Sequence, residues 1–202
     1  MRCFVAVWPP EDVLDALAAL PRPAAAYARW STRDQWHVTL RFFGELDEAG
    51  VAAAAKALHE AEGLPASPLV AHGGPATRFM GPGLVVWPVE GLDDLARAVE
   101  RATAEIGQPV PERPFQGHVT LARARGDADL RRTDLGQAGR LLTPLERSWP
   151  VGSFALVESR LRSGGSVYTD FATFSLASPA AQSQAAQLRG HPPPNVCLLL
   201  SS

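Results

Sequence analysis

The tetrapeptide His37-Val38-Thr39-Leu40 is repeated unchanged as His118-Val119-Thr120-Leu121. In a β-strand, alternate residues point to the same face, so each copy places its histidine beside its threonine. A single His-x-Thr segment is more often a structural feature than a site, but two identical copies among only five histidines are not expected by chance. The repeat predicts that two halves of the chain each present one imidazole and one hydroxyl to a common cleft.

The residues around the first copy predict a strand-helix-strand-helix unit. Residues 4–7 and 36–43 have the apolar character of buried strands, and Gly44 ends the second one. A helix that begins at residues 9–11 is predicted to run to about Leu20. A second helix is predicted to begin at Asp47, as its N-cap, and to end near Gly63.

The same pattern returns around the second copy. We predict a strand over residues 84–89, a helix over 92–106 and a strand over 118–123. A weaker helix over 127–142 follows, and then a hairpin of strands 153–160 and 166–174 across Ser163-Gly164-Gly165. The segments 63–83 and 107–114, which are rich in glycine and proline, are predicted to be loops around a site.

The composition describes a soluble globular chain. Of the 202 residues, 46% are hydrophobic and 20% are charged, and the net charge is −2, so an RNA ligand would be held in a local pocket rather than by a global basic field. No apolar run is long enough to cross a membrane. The distant Cys3 and Cys197 form neither a disulfide framework nor a zinc cluster, and we therefore expect a cytoplasmic protein without a metal or a cofactor.

Two histidines and two hydroxyl groups suit the cleavage of a phosphodiester. One imidazole can remove a proton from the attacking water while the other protonates the departing oxygen. The hydroxyls of Thr39 and Thr120 can donate to the phosphate oxygens, where charge rises in the transition state. This chemistry predicts a bell-shaped pH profile. The sequence contains no P-loop, nucleophile elbow or dinucleotide-binding motif.

In these motifs the chain resembles the 2H phosphoesterase superfamily, and within it the RNA 2',3'-cyclic phosphodiesterases of the LigT/ThpR type, also called 2'-5' RNA ligases. The resemblance covers about residues 2–176 and is carried by both tetrapeptides and by the segments 2–7, 9–11, 41–45, 113–115, 122–123 and 158–161, with Gly165 and Tyr168. It implies one bilobal α+β domain over residues 1–176, in which two antiparallel sheets line a central cleft with the helices outside. The implied reaction is the hydrolysis of an RNA-terminal 2',3'-cyclic phosphate to a 2'-phosphate, with reversible 2'-5' ligation as a further activity.

By position, the resemblance implies a role for six residues. His37 would be the general acid and His118 the general base, Thr39 and Thr120 would hold the phosphate, Arg123 would neutralise it, and Phe42 would stack on the terminal base. Strict strand alternation instead places Arg41 beside His37 and Ala122 beside His118. Arg123 stays in the predicted site because it lies at a strand end, and the sequence leaves open whether Phe42 or Arg41 faces the substrate. The family usually has proline before the second histidine, and we expect Gly117 at this position to loosen the entry to the strand.

Several alternatives remain open at this point. The same chemistry could serve a small cyclic nucleotide or an ADP-ribose cyclic phosphate, or the chain could be a non-catalytic module that binds RNA ends. A zinc site is disfavoured because no cysteine or carboxylate lies at ligand spacing near either tetrapeptide. The expected partner is an RNA 3' end with a cyclic phosphate, such as a tRNA-like fragment, and the expected state is a monomer. The segment 177–202, rich in Ala, Gln, Ser and Pro, is predicted to be a disordered and functionally silent tail.

Overall fold

The computed structural model describes residues 1–24, 26–133, 143–162 and 165–176, and these residues form ten strands and three helices. The tail predicted over 177–202 lies outside the described residues. In chain order the elements are β1 (Arg2–Val7), α1 (Glu11–Ala18), β2 (Ala28–Trp30), β3 (Val38–Glu45), α2 (Glu48–His59), β4 (Leu69–Gly73), β5 (Arg78–Met80), β6 (Leu84–Glu90), α3 (Asp93–Ala102), β7 (His118–Ala124), β8 (Arg147–Val151), β9 (Ser153–Arg162) and β10 (Gly165–Ser175).

The strands form one antiparallel sheet in the order β10-β9-β1-β3-β7-β6-β4-β8, with β2 added to β7 and β5 added to β6. The first four strands of this order make one lobe and the last four make the other. The strands of the two lobes pair at a single residue pair, Val38 opposite Val119. The predicted α+β fold with two lobes is therefore confirmed, and its two sheets are joined at this one point.

The pairing of Val38 with Val119 relates the two halves of the chain. Both are the second residue of their tetrapeptide, and the units β1-α1-β3 and β6-α3-β7 repeat the same order of elements. In an antiparallel pair, the residues on either side of a directly opposed pair are cross-strand neighbours. This register sets His37 beside Thr120 and Thr39 beside His118.

The main core lies on one face of the sheet, under the helices. In β1, Cys3, Val5 and Val7 belong to this core, together with residues that α1, α2 and α3 bury, among them Leu17, Leu58 and Leu95. The alternate residues Phe4 and Ala6 point to the other face, where they pack with Ala155 and Val157 of β9. The three described helices thus lie against the first face, and the second face carries the cleft.

Several local predictions were wrong. The segment 63–83 is not a loop throughout, because it contains β4 and β5, which pair with β8 and β6. No α-helix begins at Asp127: residues 130–132 form one 3-10 turn and Thr133 is extended, while residues 134–142 lie outside the described part. The short strands β2 and β8 were missed, and the three helices end between two and four residues before their predicted ends.

Candidate active site

The two histidines are held in the same way in the two lobes. Nδ1–H of His37 donates to the carbonyl oxygen of Gln35 at 2.8 Å, and Nδ1–H of His118 donates to that of Gln116 at 2.7 Å. A carbonyl oxygen only accepts, so these bonds fix the tautomer of each neutral ring. Nε2 of each imidazole is therefore the nitrogen that is left to exchange a proton.

A β-bulge after each threonine changes which side chains reach the cleft. In β3, Leu40 is an extra residue between the pairs Ala6–Thr39 and Val5–Arg41. In β7, Leu121 is the equivalent extra residue, between the pairs Val86–Thr120 and Val85–Ala122. A bulge adds one residue and reverses the alternation beyond it. It turns Phe42 to the face of Thr39 and Arg123 to the face of Thr120.

Because of the bulges, Arg41 and Ala122 do not lie beside the histidines, where strict alternation had placed them. Ala122 is buried in the core. Arg41 is only 3% exposed, and one terminal nitrogen of its guanidinium donates to three carbonyl oxygens after α3. The acceptors are those of Thr103 at 3.2 Å, Ile106 at 3.0 Å and Gln108 at 2.9 Å. Arg41 therefore anchors a loop and borders only the cavity of His118, whereas Phe42 borders both that cavity and the cavity of His37.

The six predicted residues line three adjoining cavities. The central cavity, of about 320 Å³, is lined by His37, Thr39, Phe42 and Arg123, among others. A cavity of about 350 Å³ shares Thr39 and Phe42 with it and adds His118. A narrow cavity of about 80 Å³ shares His37 and Arg123 and adds Thr120. The three cavities share lining residues, and together they form the cleft that both tetrapeptides border.

Three aromatic rings surround the imidazole of His37. Phe4 stacks on it with ring centres 4.7 Å apart, and Trp8 and Tyr168 meet it edge-on at 5.5 Å and 5.0 Å. Sequence reasoning did not assign these three residues to the site, although Phe4 and Tyr168 belonged to the residues that carried the resemblance. The apolar enclosure leaves His37 half-buried and limits its contact with water.

Burial and nearby cations lower the pKa of both histidines. Burial is the main cause at His37 and lowers its pKa to about 4; its hydrogen bond to Gln35 opposes this shift, and the charges of Arg123 and His118 add to it. The pKa of His118 is also lowered, by burial first and then by Arg123, Arg78 and Arg113. Both imidazoles are therefore neutral at pH 7 in the free protein. A bound anion would oppose these effects and raise both pKa values.

Gly117 does not loosen the entry to β7, contrary to our expectation. An added Cβ at this position would overlap the carbonyl oxygen of Val89. The N–H of Val89 also donates to the carbonyl oxygen of Gly117 at 2.9 Å. The close backbone contact holds the residue before His118 in place.

Three further observations concern another cavity, metal ligands and membrane-spanning helices. A larger cavity of about 660 Å³ lies next to β6 and the entry to β7, but none of the six predicted residues lines it. Among the residues that the structure describes, no three His, Cys, Asp or Glu side chains come together to hold a metal ion. In the same part of the chain, no helix is long and apolar enough to span a membrane.

Comparisons with known proteins show the family and the fold that this chain shares. A family model described as LigT-like phosphoesterase matches residues 7–73. The RNA 2',3'-cyclic phosphodiesterase of Thermus thermophilus is 32% identical over 198 residues, which cover 92% of this chain and 95% of that protein. The crystal structure of TT0787 from Thermus thermophilus superposes with a TM-score of 0.71 at 30% identity, covering 89% of this chain and 100% of that one. E. coli LigT in complex with 3'-AMP has the same fold, with a TM-score of 0.67 at 23% identity over 87% of this chain and 97% of that one.

Proposed function

The chain belongs to the LigT-like phosphoesterases, and from this premise we propose that it hydrolyses the 2',3'-cyclic phosphate at the end of an RNA to a 2'-phosphate, without a metal ion. The phosphoesterase class follows from the family and from the related phosphodiesterase. The observation that carries the finer proposal is the matched pair of imidazoles. Each is fixed through Nδ1 at an equivalent position on either side of the Val38–Val119 pair, and both line one cleft.

The proposed step is an in-line displacement at phosphorus. The oxygen of a water molecule bonds to phosphorus as Nε2 of His118 accepts the water's proton. The bond from phosphorus to the 3'-oxygen breaks as Nε2–H of His37 donates its proton to that oxygen. The products are a 2'-phosphate and a free 3'-hydroxyl, and general acid and base catalysis accelerate such a step by roughly 10²- to 10⁴-fold each.

The surroundings of the two rings support this division of roles. The ring cage of Phe4, Trp8 and Tyr168 keeps His37 from water and makes its imidazolium a strong acid. The hydrogen bond of His118 lies in a more exposed part of the cleft, where a water molecule can approach. Binding of a phosphate anion supplies the negative charge that raises the pKa of His37, so that it carries a proton when the reaction begins.

The remaining cleft residues would hold the substrate. The hydroxyls of Thr39 and Thr120 would donate to non-bridging phosphate oxygens, and the guanidinium of Arg123 would neutralise their charge. Phe42, with Arg2 above its ring at 4.9 Å, offers an aromatic surface on which a base of any identity can stack. If the 5'-hydroxyl of a second RNA replaced water as the nucleophile, the same step would form a 2'-5' phosphodiester.

The test is to incubate an oligoribonucleotide that ends in a 2',3'-cyclic phosphate with the protein and EDTA, and to identify which hydroxyl keeps the phosphate. We expect a 2'-phosphate at an undiminished rate in the presence of the chelator. A 3'-phosphate product would contradict the assigned leaving group, and loss of activity in EDTA would contradict a metal-free mechanism. Parallel assays with a nucleoside 2',3'-cyclic monophosphate and an ADP-ribose cyclic phosphate compare RNA with the alternative substrates.

A further inference from the structure

Two exposed arginines, Arg78 and Arg113, border the cavities beside His118. Arg113 lines the cavity of about 350 Å³ that contains His118, and Arg78 lines the cavity of about 660 Å³. The two cavities share Phe115 and Gln116. The carbonyl oxygen of Gln116 accepts the hydrogen bond from Nδ1–H of His118. The two arginines therefore border cavities that adjoin at the segment that positions this histidine.

Strand pairing places Arg78 on the same face of the sheet as Thr120. Arg78 on β5 pairs with Val86 on β6, and Val86 pairs with Thr120 on β7. Side chains of directly paired residues project to the same face. The next residue, Phe79, packs against the main core, and the alternate residue Met80 lines the cavity of about 350 Å³. Arg78 is thus directed away from the core, to the face that carries the cleft.

The charges that act on His118 are all positive. Burial is the main cause that lowers its pKa, and the charges of three arginines lower it further, whereas its hydrogen bond to Gln116 opposes the shift; the arginines are Arg123, Arg78 and Arg113. No carboxylate is among these causes. Because water and salt weaken the effect of an exposed charge with distance, this influence agrees with the placement of Arg78 and Arg113 beside the imidazole.

Neither Arg78 nor Arg113 is neutralised by an ion pair. Among the residues that the structure describes, no carboxylate forms an ion pair with either guanidinium. The acidic residues that line the two cavities, and that leave both arginines unpaired, are Glu90, Asp93 and Glu100. A cyclic phosphodiester carries one negative charge, which Arg123 alone can balance. The two further cations therefore favour a second anion beside His118.

We propose that Arg78 and Arg113 bind a second phosphate of the substrate, in addition to the phosphate that reacts. This inference rests on the proposed function. A guanidinium is always charged in a protein and donates two parallel N–H groups to phosphate oxygens. A phosphodiester of the RNA and the diphosphate of an ADP-ribose cyclic phosphate both supply such oxygens. A nucleoside 2',3'-cyclic monophosphate with a free 5'-hydroxyl does not, and the site therefore selects against it.

The test compares Arg78→Gln and Arg113→Gln with the wild type on three substrates. These are a nucleoside 2',3'-cyclic monophosphate with a free 5'-hydroxyl, a short oligoribonucleotide that ends in a 2',3'-cyclic phosphate, and an ADP-ribose cyclic phosphate. For the substrate that uses the site, we expect kcat/KM relative to the nucleoside cyclic monophosphate to fall by about tenfold or more, as for the loss of a hydrogen bond to a charged group. Arg78→Lys should restore part of this ratio. Arg97→Gln, on the outer helix α3, is the matched control and should leave it unchanged.

The two larger substrates identify the source of the second phosphate. A ratio that falls for the oligoribonucleotide alone assigns the site to an RNA phosphodiester, and one that falls for the ADP-ribose cyclic phosphate alone assigns it to a diphosphate. Equal losses of kcat/KM on all three substrates would overturn the inference, because the arginines would then serve only the reacting phosphate. Ratios that stay at the wild-type value for both larger substrates would overturn it as well.

Binding measurements separate the failure of this inference from that of the proposed function. The ligands are a nucleoside 2'-phosphate, an oligoribonucleotide with a terminal 2'-phosphate, and an ADP-ribose phosphate, none of which requires turnover. In Arg78→Gln the affinity should fall more for a ligand with a second phosphate than for the nucleoside 2'-phosphate. Equal losses for all three ligands would contradict the second site. A wild type that cleaves none of the three substrates would refute the proposed function, and the binding measurements would still decide the role of Arg78.

Discussion

The residue five positions after each histidine makes the two halves of the cleft different. Phe42 follows His37 and Arg123 follows His118 at this distance, and equivalent bulges turn both side chains into the cleft. One half thus offers an aromatic ring and the other a cation. We infer that this difference orients the substrate, with the base toward Phe42 and the phosphate charge toward Arg123.

The two histidines should be equally necessary. His37→Ala and His118→Ala should each lower kcat by roughly 10²- to 10⁴-fold, and the double variant should fall little further because the two groups act in one step. Single-turnover rates measure the loss of catalysis, and circular dichroism checks that each variant remains folded. His59→Ala, at the exposed end of α2, serves as the control. A single variant that keeps more than about a tenth of the activity would contradict a paired mechanism.

The pH dependence of kcat/KM should show the lowered pKa values of the free protein. The active form needs one protonated and one neutral histidine, so the optimum lies between their two pKa values. The pKa of His37 is about 4, and that of His118 is lowered from 6.5. The optimum of kcat/KM is therefore expected at a pH between about 4 and 6.5. The profile of kcat should lie at higher pH because bound phosphate raises both pKa values. An optimum of kcat/KM at or above about pH 7 would contradict these assignments.

At the level of secondary-structure elements, the apolar periodicity of the sequence predicted the strands and helices whose residues follow a regular pattern. The pairs β1-β3 and β6-β7 and the helices between them have long apolar repeats, and Asp47 caps α2 as predicted, accepting from the N–H of Gly50 at 2.7 Å. The bulges at Leu40 and Leu121 were not predictable, because nothing in a regular alternation marks the extra residue. For this reason Phe42 and Arg123 could be assigned from the family resemblance but not from the strand pattern.

The strands missed by sequence reasoning are short and depend on tertiary pairing. β4 ends at Gly73, where an added Cβ would overlap the indole ring of Trp87. Trp87 in turn stacks on Trp149 of β8, with ring centres 5.9 Å apart. The glycine that suggested a loop is therefore required by a contact between distant segments, which a local pattern does not contain.

The strand entry before His118 gives a test at this scale. Gly117→Ala should lower the free energy of unfolding by about 1–3 kcal/mol, because the added methyl group must displace the backbone of Val89. It should also lower kcat by moving His118. Gly152→Ala is the matched control, since no atom lies within 4 Å of an added Cβ there. Urea denaturation and steady-state kinetics of both variants measure the two effects, and equal stability of the two variants would show that the contact at Gly117 is unimportant.

At the scale of the whole molecule, the lobes are not consecutive stretches of the chain. β9 and β10 come last in sequence but extend the sheet of β1 and β3, and β10 brings Tyr168 to His37. The first lobe is therefore completed only when residues 153–176 have joined it. The last described residue, Leu176, is buried, and its N–H donates to the carbonyl oxygen of Gly152 at 2.8 Å.

Truncation should separate the fold from the tail. A chain that ends at residue 176 should keep the melting temperature and kcat/KM of the full chain, because it retains all ten strands that the structure describes. A chain that ends at residue 164 lacks β10 and should fail to fold cooperatively. Thermal unfolding and sedimentation velocity of both chains measure stability and the expected monomeric state. Lower kcat/KM in the chain that ends at residue 176 would give the tail a function that we do not expect.

In the proposed mechanism, two imidazoles from matching strands act on one phosphate. NMR titration of the histidine ring nitrogens, with and without an oligoribonucleotide that carries a 2'-phosphate, tests it most directly. We predict that the pKa values of His37 and His118 rise together on binding and that Nδ1 of both rings keeps its proton throughout. A response from only one of the two cleft histidines, or from neither, would contradict the account.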